Sequence, residues 1–194
     1  MYKMTGLVLA GGAGRRMGGV DKGLIALRGR VLVAHVLERL APQVSEILIS
    51  ANRNLDRYRG FGCPLVPDSV FEKNGGLAGP LAGLHAGLEA ARYPLILTVP
   101  CDSPLLPADL ASRLLEAYLA ESADLAVART DSRIHPVFAL YRRTLLPNLT
   151  TFLEGGGRRL GAWHAGLNVA AAHFGGETEA FTNINTPAEL RAFE

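Results

Sequence analysis

Short apolar runs alternate with segments of helical period along this chain, and the first run ends abruptly at Gly11-Gly12. These two observations predict an α/β fold: a single-domain, Rossmann-like three-layer sandwich with a mostly parallel central sheet. A third supports it. The 194 residues are 48% hydrophobic and 20% charged, a globular composition in a chain long enough to bury a sizeable core.

The elements follow in order. Residues 5–10 read as a buried strand. Residues 31–41 place Leu32, Val33, Val36, Leu37 and Leu40 on one helical face. Residues 46–51 and 64–67 are strand candidates, and residues 81–92 form a helix entered through Gly79-Pro80. Residues 95–99 (LILTV) form an apolar strand stopped by Pro100. A helix is expected over 107–120, with Pro107 at its first position. Residues 124–129 and 135–141 are again strand-like. The last helix opens at Thr186-Pro187-Ala188-Glu189, which combines a T-x-x-E capping box with proline at the first helical position. The expected domain is single and spans 1–194, in two halves over about 1–105 and about 106–194.

Charge and cysteine content exclude several classes. The formal net charge of +2 argues against nucleic-acid or membrane-surface partners. The two cysteines, Cys63 and Cys101, lack CxxC spacing and fit a reducing compartment. The apolar start at residues 7–10 is too short for a signal or membrane segment, so the expected location is the cytoplasm.

In a parallel α/β sheet, ligands bind beyond the carboxyl ends of the strands, here just after residues 10, 51, 67, 99 and 141. The loop after the first strand runs from Leu9 to Lys22, and five of its fourteen residues are glycine. Glycine lets backbone N–H groups approach a polyanion closely, while Arg15, Arg16 and Lys22 add positive charge. The loop fits neither GxGxxG, since Met17 falls where the third glycine belongs, nor GxxxxGK[ST]. Asp102 follows the most apolar strand. A carboxylate there suits Mg²⁺, which takes one or two carboxylates plus phosphate oxygens; it equally suits a turn before Ser103-Pro104.

The string LAGGxxRRMGGxDKGL resembles the signature of the molybdenum cofactor guanylyltransferase family, and four later strings extend the likeness in order. They are Gly79-Pro80-Leu81-Ala82-Gly83, Pro100-Cys101-Asp102-Ser103-Pro104, His135-Pro136, and Phe181-Thr182-Asn183-Ile184-Asn185-Thr186-Pro187. The resemblance implies a nucleotide-diphospho-sugar transferase-like fold and transfer of GMP from GTP to molybdopterin, with Mg²⁺ as cofactor and pyrophosphate as by-product. It implies Arg16, Lys22 and Asp102 as catalytic residues, with Asp102 as the metal ligand. Leu9, Ala10, Gly11, Gly12, Lys22, Ser50, Asp68 and Asp102 would then hold the nucleotide. His135, Asn183 and Asn185 become candidates for the acceptor side, the two asparagines also for the metal shell. The product's destination would be cofactor-insertion or recipient molybdoenzyme proteins.

One position departs from the family pattern: Ser50 stands where the family has an asparagine assigned to guanine or ribose contact. Ser50 keeps a donor and an acceptor but loses the paired amide, and Asn52 lies two residues on. Gly11-Gly12 favours guanine, because related cytidylyltransferases carry LAAG there. Other readings are a nucleotidyltransferase of the same fold with another base or acceptor, cytidylyl or sugar-1-phosphate, and a nucleotide-binding protein without turnover. Outside these motifs, His35 and His85 read as packing residues. Trp163 and His164, beside Gly155-Gly156-Gly157-Arg158-Arg159, read either as a lid or as an ordinary helix start.

Overall fold

The structure, a computed structural model, describes residues 2–12, 20–67 and 79–193, apart from the side chain of Pro187. In chain order the elements are β1 (Met4–Leu9), β2 (Ala26–Leu27), β3 (Arg30–Val31), α1 (Leu32–Leu40), β4 (Glu46–Ser50), α2 (Leu55–Arg59), β5 (Leu65–Val66) and α3 (Pro80–Ala90). Then come β6 (Leu95–Pro100), α4 (Leu110–Ala120), β7 (Leu125–Arg129), β8 (Ile134–Arg142), α5 (Leu146–Glu154), α6 (Leu160–His164), β9 (Val169–His173) and α7 (Pro187–Ala192).

Seven strands form the central sheet in the order β5-β4-β1-β6-β8-β7-β9. Side chains alternate across it with period two, so each strand feeds two cores. Val8, Ile49, Leu97, Ala126 and Leu140 face α1 and α4. Their neighbours Leu7, Leu48, Ile96, Leu125 and Ala139 face α3 and α5. The strands are therefore apolar on both faces, as a sheet covered by helices on each side requires. The three-layer expectation holds.

Two expectations need correction. Strand β8 runs antiparallel to both neighbours, pairing Leu97 with Leu140 and Val127 with Ala139. Its carboxyl end, near residue 141, therefore lies at the far edge of the sheet. Its start, Ile134-His135, lies at the edge where β1, β4, β5, β6 and β7 end. The apolar pattern of 135–141 is the same in either direction, so strand polarity was not encoded locally.

The second correction concerns Pro107, which lies before α4 rather than at its first position. The Pro107 carbonyl accepts from Leu110 N at 3.3 Å and from Gln43 Nε2 at 2.9 Å, making a turn. Gln43 Oε1 then accepts from Ala111 N at 3.0 Å, so a side chain 68 residues away satisfies the helix start.

A small third cluster of Leu27, Leu32 and Ile184, with Leu190 and Phe193 against it, ties the β2–β3 hairpin to α7. It draws the C-terminal segment toward the ligand edge. Among the described residues, no helix is long and apolar enough to cross a membrane.

Candidate active site

The site is built where β1, β4 and β6 end together. Leu9 pairs with Ser50 on one side and Pro100 on the other. Beyond the ladders, Ala10 N donates to Ser50 O at 2.8 Å, and Cys101 N donates to Leu9 O at 3.2 Å. The glycine-rich loop thus leaves between the strand carrying Ser50 and the one leading to Asp102. Among the described residues, a Cβ built on Gly12 would meet nothing within 4 Å.

The chain re-enters the described structure at Val20, and Lys22 opens a short 3₁₀ turn over Lys22–Leu24. Gly23 lets this turn lie flat on the end of β6: a Cβ there would fall 2.6 Å from the Tyr58 hydroxyl and 3.2 Å from Cys101 Cβ. Lys22 Nζ consequently reaches Asp102 Oδ2 at 3.1 Å and also donates to Asn185 Oδ1. Asp102 is 5% exposed. Burial pushes its carboxyl upward from the usual aspartate value, the Lys22 ammonium pulls it back, and Glu189 adds to the upward push.

The C-terminal segment is pinned beside this pair. Ile184 N donates to Asp102 O at 2.9 Å, and Ser103 Oγ donates to Asn183 Oδ1 at 3.0 Å. Asn185 Nδ2 donates to Asn183 O at 3.0 Å. The predicted capping box is present: Glu189 N donates to Thr186 Oγ1 at 3.1 Å and Glu189 Oε2 accepts from Thr186 N at 3.1 Å. That carboxylate oxygen also accepts from Asn185 N at 2.6 Å.

His135 lies on the other wall. It is hydrogen-bonded to Thr130 Oγ1 at 3.0 Å and stacks on Phe181 at 4.6 Å between ring centroids. Burial, aided by Arg133, pushes its pKa down to about 4, so the imidazole is neutral at neutral pH. A cleft of roughly 380 Å³ opens here, lined by His135, Phe138, Asn183, Asn185 and Glu189 among others.

The structure therefore gathers Leu9, Ala10, Gly11, Gly12, Lys22, Ser50, Asp102, His135, Asn183 and Asn185 at one edge of the sheet. Arg16 and Asp68 lie outside the described residues. Ser50 is 1% exposed, and its Oγ would lie 2.5 Å from a Cβ on Gly83, so α3 is seated directly on it. Trp163 and His164 belong to an ordinary buried helix: Trp163 stacks on Tyr141 at 5.7 Å, and His164 Nε2 is 2.9 Å from the Tyr141 hydroxyl. Tyr141 pairs with Ile96, near the start of β6 and away from the site. His35 and His85 make structural contacts, with Leu27 O and Thr150 Oγ1.

Sequence reasoning missed the polar residues gathered around Asp21. Asp21 is 6% exposed and accepts from Tyr58 Oη at 2.6 Å and from Asn54 Nδ2 at 3.0 Å. Arg53 Nε lies 3.9 Å from Asp21 Oδ2. The available signal was the acidic residue immediately before Lys22, since a buried carboxylate demands partners.

The family model described as MobA-like NTP transferase domain matches residues 6–169. The chain is 48% identical to the molybdenum cofactor guanylyltransferase of Acidovorax ebreus, over 100% of this chain and 96% of that one. The chain belongs to the molybdenum cofactor guanylyltransferase family. The fold agrees. The molybdopterin-guanine dinucleotide biosynthesis protein A of Archaeoglobus fulgidus superposes with a TM-score of 0.76 at 24% identity, covering 98% of this chain and 97% of that one. A manganese complex of Rv0371C from Mycobacterium tuberculosis has the same fold, with a TM-score of 0.70 at 16% identity over 99% and 98% of the two chains. Membership in the guanylyltransferase family makes the chain a nucleotidyltransferase, and its five signature strings all begin or end at one sheet edge.

Proposed function

We propose that this protein transfers GMP from GTP to molybdopterin, forming the guanine dinucleotide cofactor and releasing pyrophosphate. The observation that carries the reading is the Lys22–Asp102–Asn185 cluster at the mouth of the glycine-rich loop. A fixed cation and a buried carboxylate beside such a loop suit phosphate chemistry and little else.

The acceptor's terminal phosphate attacks the α-phosphorus of GTP in line, the new P–O–P bond forms, and pyrophosphate departs. A phosphate nucleophile is already ionised, so no general base is required. Lys22, with Arg16, neutralises charge on the α-phosphate and the leaving pyrophosphate, and catalysis rests on positioning and charge stabilisation. Leu9, Ala10, Gly11 and Gly12, with Ser50 beneath them and Asp68, take the nucleoside end. His135, neutral and stacked on Phe181, takes the pterin side with Asn183 and Asn185.

Magnesium fits the residues present. Asp102 and Asn185 aim oxygens at one shared cation, the Lys22 ammonium, and a carboxylate plus neutral oxygens is the donor set this ion accepts alongside phosphate and water. Asp102, with Asn185 beside it, would hold the ion, which when bound supplies charge neutralisation and phosphate alignment. The reaction belongs in the cytoplasm, upstream of the proteins that insert or receive the dinucleotide cofactor.

Nucleotide-dependent thermal stabilisation tests the reading. GTP with Mg²⁺ raises the melting temperature more than CTP or UTP does. Stabilisation by CTP or UTP without GTP overturns it in favour of a cytidylyl or sugar-1-phosphate enzyme.

A further inference from the structure

We infer that Arg53 is a positioning residue that sets the nucleotide loop, an inference resting on the nucleotidyltransferase reading above. Arg53 follows β4, more than thirty residues from Lys22 in sequence, and lies in none of the five signature strings. One nitrogen of its guanidinium, Nη2, donates to Gly12 O at 2.8 Å and to Val20 O at 3.3 Å. Both carbonyls belong to the glycine-rich loop, eight positions apart in sequence, so a single atom ties them together. The guanidinium Nε also faces the buried Asp21 carboxylate at 3.9 Å. Asp21 is the residue before Lys22 and also accepts from Tyr58 at Oδ1 and from Asn54 at Oδ2.

The chemistry explains why an arginine stands there. A planar fork directs donors at several acceptors at once, whereas an ammonium acts as a point charge. Two carbonyl dipoles and one carboxylate converge on it, and its charge offsets that of the buried Asp21. Tying Gly12 to Val20 in the free protein preorganises these two positions for GTP. The same contacts fix Asp21, and through it the backbone from which Lys22 reaches Asp102. The Arg53 side chain is 35% exposed, so replacing it leaves the cores of the sheet untouched.

Arg53→Met removes both carbonyl contacts and the charge, while Arg53→Lys keeps the charge with poorer reach. The wild type and both variants are compared by hydrogen exchange without nucleotide, by binding of GTP and GMP, and by transfer kinetics. In Arg53→Met, amides of Gly11, Gly12 and residues 20–24 exchange faster without ligand while the sheet and helices exchange as before. The ratio of GTP to GMP affinity drops about tenfold, the loss expected for two hydrogen bonds, with KM for molybdopterin unchanged. Arg53→Lys falls between the two. Unchanged exchange at Gly11, Gly12 and residues 20–24 in the free protein overturns the inference, even where GTP binding weakens, because that pattern belongs to a direct phosphate contact. An unchanged GTP-to-GMP ratio in both variants overturns it as well. Failure of the nucleotide reading itself is distinguishable, since the wild type would then not bind GTP.

Discussion

Lys22 Nζ lies 3.1 Å from Asp102 Oδ2, closing 80 residues of sequence into one charged pair at the end of β6. The pair is unequal in exposure, 22% for the lysine side chain against 7% for the aspartate. The aspartate therefore depends on the lysine more than the reverse.

Replacing either residue should cripple transfer. Loss of one preorganised donor to a developing negative charge typically costs about 10²–10³ in kcat, and Lys22→Met and Asp102→Ala are expected to lose at least that much. Steady-state pyrophosphate release checks this, with circular dichroism as the fold control. Near-normal turnover in Asp102→Ala would refute its place in the chemistry.

The same asymmetry predicts different stabilities. Asp102→Ala leaves a partly exposed lysine that water can solvate. Lys22→Met leaves a buried carboxylate with its main counter-charge gone, and one-sided disruption of a buried pair is strongly destabilising. Urea unfolding at neutral pH should rank Lys22→Met below Asp102→Ala; the opposite order contradicts the burial argument.

Stability should also fall with acid through two histidines. Burial lowers both His135 and His164 from 6.5 to about 4. Between those values the unfolded chain binds a proton that the folded chain refuses. Stability is thus complete above pH 6.5 and is lost progressively as pH falls toward 4. His164→Gln removes one of these and should flatten the decline in unfolding free energy between pH 6.5 and 4; an unaltered slope contradicts the assignment.

The capping box at α7 reaches into the site as well as the helix. Glu189 Oε2 accepts from both Asn185 N and Thr186 N, and Asn185 Oδ1 faces Lys22. Glu189→Ala should cost about 1 kcal/mol of stability as a lost cap and should lower kcat/KM beyond what that cost explains. Glu189→Gln, which retains an accepting oxygen, should recover most of the loss. Equal activity in the two variants would confine Glu189 to the helix.

How far the sequence led follows from where the information sits. The loop from Leu9 and the Asp102 turn are local strings at strand ends, so spacing alone brought them near one sheet edge, whereas the Asn183–Thr186 segment was legible through the family resemblance and its helix cap. The helix on Gly79-Pro80 was legible too, but not why Gly83 is glycine; that depends on Ser50 lying beneath it, 33 positions earlier. Strand β9, VAAAH, was illegible because small residues give no strong strand signal. Its place beside β7 depends on parallel pairing from Leu125–Val169 to Arg129–His173. Arg53 and Tyr58 escaped notice because each acts through partners more than thirty residues away, with no periodicity to betray it.

The central claim is base-selective transfer to molybdopterin. The most direct measurement is pyrophosphate release by the purified protein with molybdopterin and Mg²⁺, using GTP or CTP as the donor. Stoichiometric pyrophosphate and guanine dinucleotide are expected with GTP, and far slower release with CTP. Faster release with CTP, or GTP binding with no pyrophosphate in the presence of authentic acceptor, would contradict it.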